Sequence, residues 1–264
     1  MLWNKTSPVD KELNLVKKEE AKLRKKVLSS QELILKKSLE QKIPKKINDN
    51  LEAAFSKAFY VVFEKGTSVI EKTYNKNAVS KDHEVKDYAA KLHGRRKELK
   101  KISKGAKNNS MLNMTISTVE GVGLGALGIG LPDIVLFVGM LLKGVYETAI
   151  RYGFGYESTE ERFLILKMME ASMSKGEDWE VLNEEVDIYL RHDIVCSKEA
   201  LDKQIEKTAK AFAMDMLILK FIQGLPIVGM IGGLGNPVYY QKVMKYVQLK
   251  YRKKYLQNLK DKKY

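Results

Sequence analysis

The sequence is poor in the residues that build disulfide scaffolds and metal centres. Its 264 residues include one cysteine, Cys196, and three histidines, His83, His93 and His192. A single cysteine excludes an internal disulfide framework and a thiolate metal cluster, and three histidines leave little room for a histidine-built metal centre. We therefore expect neither a metal nor a cofactor.

Proline is also scarce, and strand patterns are missing. Five prolines favour long uninterrupted helices, and no hairpin dipeptide separates alternating strands. Apolar residues recur at three- and four-residue steps most clearly over 46–74, with a break at Gly66. The sequence therefore predicts an all-α protein, a multi-helix bundle. The spacing predicts helices over 9–42, 46–74, 80–102 (with Val85, Tyr88, Ala89 and Leu92 inward), 132–152, 158–174, 177–195, 198–222 and 237–259, and a loop over 104–110.

The N-terminal part differs in composition from the rest. Residues 9–42 are dense in lysine, glutamate and leucine and contain no glycine, and Pro44 interrupts the helical pattern. We interpret residues 1–43 as a charged helical extension and residues 44–264 as one helical domain. The start of the chain has no apolar secretory signal, so we expect a cytoplasmic location for the N-terminal half.

The net charge of +14 is unevenly distributed. Residues 1–110 carry a net charge of +13, residues 111–241 carry −7, and residues 242–264 carry +8. Two basic ends attract polyanions, either nucleic acid or the anionic leaflet of a membrane. Two alternatives stay open. The lysines could simply solvate long helices, and the tyrosines interleaved with cations over 239–255 could face the core instead of bases or lipid headgroups.

Two glycine-rich apolar segments, residues 121–133 and 224–237, resemble each other. Gly128-Ile-Gly-Leu-Pro132 matches Gly233-Leu-Gly-Asn-Pro237 in spacing, and each proline opens a predicted helix. A dinucleotide-binding loop is disfavoured because no strand precedes the glycines. Residues 221–241 carry no charge and residues 121–142 carry only Asp133. We expect two hairpin-like segments at the centre of the bundle. Two alternatives stay open for what covers them, either a membrane or the helices of a soluble bundle.

A few polar residues interrupt this apolar region. They form a candidate polar cluster of Glu120, Asp133, Glu147 and Arg151. Glu147 and Arg151 are four residues apart in the order that favours a helical ion pair. A buried cluster with shifted ionisation could serve an enzyme, whereas a helix cap plus one ion pair would be structural. We assign no catalytic residue.

The chain resembles the EcsC family of bacterial proteins in its motifs and their order. The resemblance rests on Glu120-Gly121, the glycine-rich run that ends in Leu131-Pro-Asp-Ile134, Tyr146-Glu-Thr-Ala-Ile-Arg-Tyr-Gly153, Ile231-Gly-Gly-Leu-Gly-Asn-Pro237 and Tyr251-Arg-Lys-Lys-Tyr-Leu256. It extends from about residue 46 onward. Val135 departs from the pattern, in which a second proline follows Asp-Ile. The motif residues are Gly121, Gly125, Gly128, Gly130, Pro132, Tyr152, Gly153, Gly232, Gly235 and Pro237.

The resemblance implies an all-helical fold and, in some bacteria, linkage to an ATP-binding-cassette exporter. It implies no catalytic mechanism. Together with the uncharged segments it favours a non-enzymatic accessory protein, peripheral on the inner face of the membrane, with anionic lipid or a membrane complex as its partner. The alternatives are a basic helical protein that binds nucleic acid and an enzyme that uses the carboxylate cluster.

Overall fold

The computed structural model describes residues 6–29, 38–116, 132–192, 195–222 and 237–262. Within these ranges there is no β-strand, which confirms the all-α prediction. The position of the two glycine-rich segments in the bundle lies outside the described residues. The helices are α1 (Pro8–Val27), α2 (Lys45–Val61), α3 (Thr67–Lys72), α4 (Lys76–His93), α5 (Arg96–Ile116), α6 (Pro132–Arg151), α7 (Thr159–Met173), α8 (Gly176–Tyr189), α9 (Lys198–Ile222) and α10 (Pro237–Asp261).

Helix α1 is shorter than the predicted helix over 9–42, because it ends at Val27. The Ser7 hydroxyl accepts a hydrogen bond from the Asp10 amide at 3.0 Å, and Pro8 occupies the first turn, so the start is well capped. Val9 and Val16 on one face are buried against the rest of the bundle, where α1 packs along α10. The domain division at residue 43 stays a prediction.

Helices α2 and α3 confirm the amphipathic stripe and the break near Gly66. Phe55 and Phe59 are fully buried, and both rings contact Phe212 of α9, with centroids 5.6 and 5.9 Å away. The break is a π-helical turn over Val62–Gly66. The Thr67 hydroxyl donates to the Val62 carbonyl oxygen at 3.3 Å across this turn.

Two predictions for residues 80–110 are wrong. The predicted loop over 104–110 is helical, because α5 runs on to Ile116 and buries Ala106 in the core. Helix α4 also turns a different face inward: Val85 and Leu92 are 71% and 63% exposed. Polar contacts instead fix its inner face, where the Tyr255 hydroxyl donates to Asp87 at 2.8 Å.

Helix α6 is the centre of the bundle. Of its residues from Ile134 to Ile150, all but two are buried, and α2, α4, α5 and α10 pack around it. Gly144 allows a close approach of α10, because a Cβ atom there would lie 2.5 Å from the Tyr240 hydroxyl oxygen. This central position explains why apolar residues cover nearly the whole circumference of α6.

Candidate functional site

The predicted polar cluster falls only partly within the described residues. Glu120 lies outside them, and so does the side chain of Asp133 in the first turn of α6. Glu147 is buried at 3% exposure. Arg151 lies 3.6 Å from the Asp82 carboxylate of α4. The cluster of all four residues therefore stays a prediction. The structure shows Glu147 as a buried carboxylate and Arg151 beside Asp82 of α4.

The Tyr152-Gly153 pair directly follows Arg151, the last residue of α6, and has a clear structural role. Gly153 has a φ of +80°, which side-chain-bearing residues rarely adopt. Its missing Cβ leaves space for the His83 imidazole. Tyr152 is buried against Tyr255, with ring centroids 6.2 Å apart, and burial raises the pKa of its phenol to about 12. These two motif residues anchor α6 to α4 and α10.

The other motif residues bracket the two glycine-rich segments. Pro132 and Pro237 begin α6 and α10, as predicted. The glycines themselves lie outside the described residues, namely Gly121, Gly125, Gly128, Gly130, Gly232 and Gly235. The structure therefore defines the helix ends that flank each segment.

Helices α6 and α10 run parallel, with their starts side by side. The Phe137 and Tyr239 rings meet edge to face near the starts of the two helices, with centroids 6.4 Å apart. Tyr152 and Tyr255 make the corresponding contact at the far ends. The two prolines therefore lie at the same end of the bundle.

Helix α5 brings its C-terminal end to the same place. Gln248 of α10 donates to the Ala106 carbonyl oxygen at 3.1 Å, and Leu99 and Leu259 line one small cavity, so α5 is antiparallel to α10. At a helical rise of 1.5 Å per residue, Ile116 lies about 15 Å along α5 from Ala106. Pro237 lies about 16 Å along α10 from Gln248, in the same direction. Ile116 is therefore about level with Pro237.

Helix α9 also ends at this level. Its Asp215 carboxylate lies 2.7 Å from Lys242 Nζ, and Leu219 lines the same groove as Val238. Helix α9 is thus antiparallel to α10 and directed toward Pro237. We call the end of the bundle that holds Ile116, Pro132, Ile222 and Pro237 the proline end.

The basic C-terminal helix is mostly neutralised inside the molecule. Lys250 is fully buried, and its ammonium group contacts Glu20 of α1 and, at 2.6 Å, Asp187 of α8. Burial lowers the pKa of Lys250, while the two carboxylates oppose this shift. Arg252 is buried beside Glu12 in the same way. The tyrosines of this helix are buried too, namely Tyr239, Tyr240, Tyr246, Tyr251 and Tyr255.

A groove of about 450 Å³ opens at the proline end, where α1, α8, α9 and α10 meet. Val27, Trp179, Ile218 and Leu219 give it an apolar wall, and four lysines stand around it. Tyr239 also lines it, and its hydroxyl is buried with no hydrogen-bond partner in the described part of the chain. Burial, and then the Asp215 charge, raise the pKa of this phenol. The lysines are Lys26, Lys175, Lys242 and Lys245.

Sequence reasoning missed this groove because its walls come from four separate parts of the chain. The one available signal was the proline at the start of α10, which placed Val238 and Tyr239 next to a glycine-rich segment. Val238 is 52% exposed at that point, next to the buried Tyr239.

The described residues offer little for covalent or metal chemistry. They contain no group of three or more histidine, cysteine or carboxylate side chains placed to hold a metal ion. Burial, with the nearby Glu160 charge, raises the pKa of the Cys196 thiol, so the reactive thiolate is disfavoured. None of the helices in the described ranges combines the length and apolarity needed to cross a bilayer.

The fold and the proline end define the class: an all-helical bundle in which two glycine-rich segments begin and end on one side. The EcsC protein family matches residues 8–256, nearly the whole chain, and the protein belongs to this family. The match includes α1, which precedes the region of the motif resemblance. No curated protein and no solved structure matches the chain.

Proposed function

We propose that the protein is a non-enzymatic accessory protein that attaches peripherally to the inner face of the membrane through its proline end. One observation carries the proposal: the helix ends that flank both glycine-rich segments lie together. The stretches of sequence between these helix ends, 117–131 and 223–236, carry a single charged residue, Glu120. An apolar surface of this kind inserts into the headgroup region, and nearby cations add attraction to anionic lipid.

Charge at this end supports the same arrangement. Most cations of the C-terminal helix pair internally, so they contribute little to a surface. Exposed lysines near the proline end come instead from the last turn of α1 and the start of α2, namely Lys25, Lys26, Lys45 and Lys46. Helix α2 begins at this end, because Phe55 contacts Phe137 near the start of α6, whereas Tyr60, further along α2, lies near Asp202 at the start of α9. Each lysine close to an anionic bilayer contributes about 1 kcal/mol, which salt reduces. A membrane complex, such as an ATP-binding-cassette exporter, would meet the protein on the same surface.

Liposome flotation of the purified full chain tests the proposal. We expect the chain to float with vesicles that contain phosphatidylglycerol, and less so with phosphatidylcholine alone or at high salt. Leu124→Asp and Leu234→Asp place a charge in each segment and should strongly reduce flotation, since a carboxylate in the apolar region costs about 3 kcal/mol.

Val85→Asp is the matched control. Val85 is the most exposed apolar residue of α4, and its helix contacts the opposite end of the bundle through Tyr255. This variant should float like the parent chain. Full recovery of the parent chain at the bottom of the gradient would refute the proposal, and so would loss of flotation in Val85→Asp alone.

A further inference from the structure

The groove at the proline end combines an apolar wall with a ring of cations. Its apolar side is formed by Val27, Trp179, Ile218 and Leu219. A volume of about 450 Å³ is typical of small-molecule sites, which range from about 300 to 1,000 Å³. A site with an apolar wall on one side and lysines at its mouth suits a ligand that has both a hydrocarbon part and an anionic part.

The cations around the groove favour an anion at its mouth. Lys26 and Lys245 are exposed, and their ammonium groups have no ion-pair partner among the described residues. Lys175 lines the groove as well. Asp215 is the single carboxylate in the lining, and Lys242 neutralises it at 2.7 Å. The net charge of the lining is therefore positive.

A second observation points to a bound polar atom. The Tyr239 hydroxyl is shielded from solvent and lacks a hydrogen-bond partner in the described part of the chain. A buried hydroxyl without a partner is destabilising, because it has lost its hydrogen bond to water. A ligand oxygen that enters between α9 and α10 would supply the partner.

We propose that this groove binds one anionic phospholipid molecule, with an acyl chain along Trp179, Ile218 and Leu219 and the phosphate beside Lys26, Lys175 and Lys245. The inference deepens the proposed function and rests on it, because the membrane at the proline end is the source of the lipid. The groove would then hold a single lipid drawn from the bilayer surface.

Titration with a short-chain phosphatidylglycerol that is monomeric in solution tests the inference separately from vesicle binding. The titration uses the full chain with the substitution Trp3→Phe, so that Trp179 is the only tryptophan and its fluorescence reports on the groove. Calorimetry gives the stoichiometry. We expect saturation at one lipid per chain. Affinity should rise about fourfold for each added methylene, because each buried methylene contributes about 0.8 kcal/mol. Phosphatidylcholine of the same length should bind at least about tenfold more weakly, since it lacks the net negative charge.

Charge-reversal variants identify the headgroup site. Lys26→Glu combined with Lys245→Glu should weaken phosphatidylglycerol binding by about tenfold or more. Lys203→Glu combined with Lys207→Glu makes the same change in charge on exposed residues of α9, away from the groove, and should leave binding unchanged. Equal effects of the two pairs would overturn the headgroup assignment.

The remaining outcomes separate this inference from the proposed function. If the chain floats with vesicles but does not bind the monomeric lipid, the groove assignment is wrong and membrane attachment stands. If the monomeric lipid binds but the chain does not float, the proposed function is wrong and the groove assignment stands. Binding of inorganic phosphate that equals binding of the lipid would overturn the lipid assignment in favour of a phosphate site.

Discussion

His83 donates a hydrogen bond from Nδ1 to the carbonyl oxygen of Arg151, with the two atoms 2.8 Å apart. The bond joins the middle of α4 to the last residue of α6, and the ring lies where a side chain at Gly153 would be. Because a carbonyl oxygen can only accept, Nδ1 carries the proton, and Nε2 faces Gly153. The motif glycine thus has a specific structural task that requires both its backbone conformation and its lack of a side chain.

Gly153→Ala should therefore be strongly destabilising, by about 3 kcal/mol, because left-handed strain and a collision with His83 add together. Gly94→Ala separates the two effects. Gly94 also has a positive φ, +55°, but nothing lies within 4 Å of its added Cβ, so we expect a loss of about 1 kcal/mol. Urea unfolding of both variants measures the difference, and equal losses would show that the His83 contact contributes nothing.

Glu12→Ala should weaken the attachment of α1 to the bundle. Glu12 is 1% exposed and pairs with Arg96 of α5 and Arg252 of α10, so its removal leaves the buried Arg252 short of a counter-charge. We expect the free energy of unfolding to fall by about 3–5 kcal/mol. Arg24 lies on the same helix as Glu12, and Arg24→Ala breaks its exposed pair with Glu180 of α8. This change should cost less than about 1 kcal/mol. Losses of the same size would contradict a special role for the buried pair.

Gly144→Ala should force α6 and α10 apart. The new methyl group would meet the Tyr240 hydroxyl at 2.5 Å and the Met244 sulfur at 2.9 Å, and overpacking of this kind costs about 1–3 kcal/mol. Tyr240→Phe removes the nearest atom, so the double variant should recover part of the lost stability. Thermal unfolding of the two single variants and the double variant checks this, and strictly additive losses would argue against a direct clash.

Alkaline pH should destabilise the fold through buried phenols. Burial raises the pKa of Tyr152 to about 12, above its ordinary value of about 10. Between these values the folded chain holds a proton that the unfolded chain has released. The stabilisation is thus complete below pH 10 and is lost as pH rises toward 12. Tyr152→Phe should make the fall in unfolding free energy shallower above about pH 10. A change of slope no larger than that of Tyr88→Phe, at an exposed position, would contradict this prediction.

Local pattern was enough to predict much of the fold. The apolar stripe that holds Phe55 and Phe59 was confirmed, because only a core-facing helix places large rings at that spacing. The starts of α6 and α10 at Pro132 and Pro237 were also predicted, since a proline in the first turn fits a helix and disfavours its continuation backward.

The errors arose where tertiary contacts outweigh local preference. The run of glycine, asparagine and serine after Lys104 is typical of a loop, yet α5 continues through it, and Ala106 lies in the core with its carbonyl bonded to Gln248. On α4 the apolar residues face outward because His83 and Asp87 bond to the neighbouring elements. No single-sequence pattern reports these distant partners.

The candidate site could be predicted only in part. The two uncharged segments were visible in the sequence, but the shared position of the helix ends that flank them depends on the parallel packing of α6 and α10. The sequence left open whether the C-terminal helix faces the core or a polyanion. In the structure, acidic residues of α1 and α8, far away in sequence, cover its cations. The groove could not be predicted from the sequence, because its lining comes from four regions that are far apart in the chain.

The edge-to-face contact of Phe137 and Tyr239 fixes the starts of the two parallel helices to each other. If the proposed attachment is correct, a membrane that binds one glycine-rich segment is already close to the helix ends that carry the other. Attachment through the proline end would then be bivalent. Two individually weak anchors on one rigid support gain avidity, because the second meets its target at a high effective concentration. A substitution that weakens one segment's binding should then reduce the overall membrane affinity by more than the affinity of that segment alone. Each segment by itself would still bind weakly enough to release.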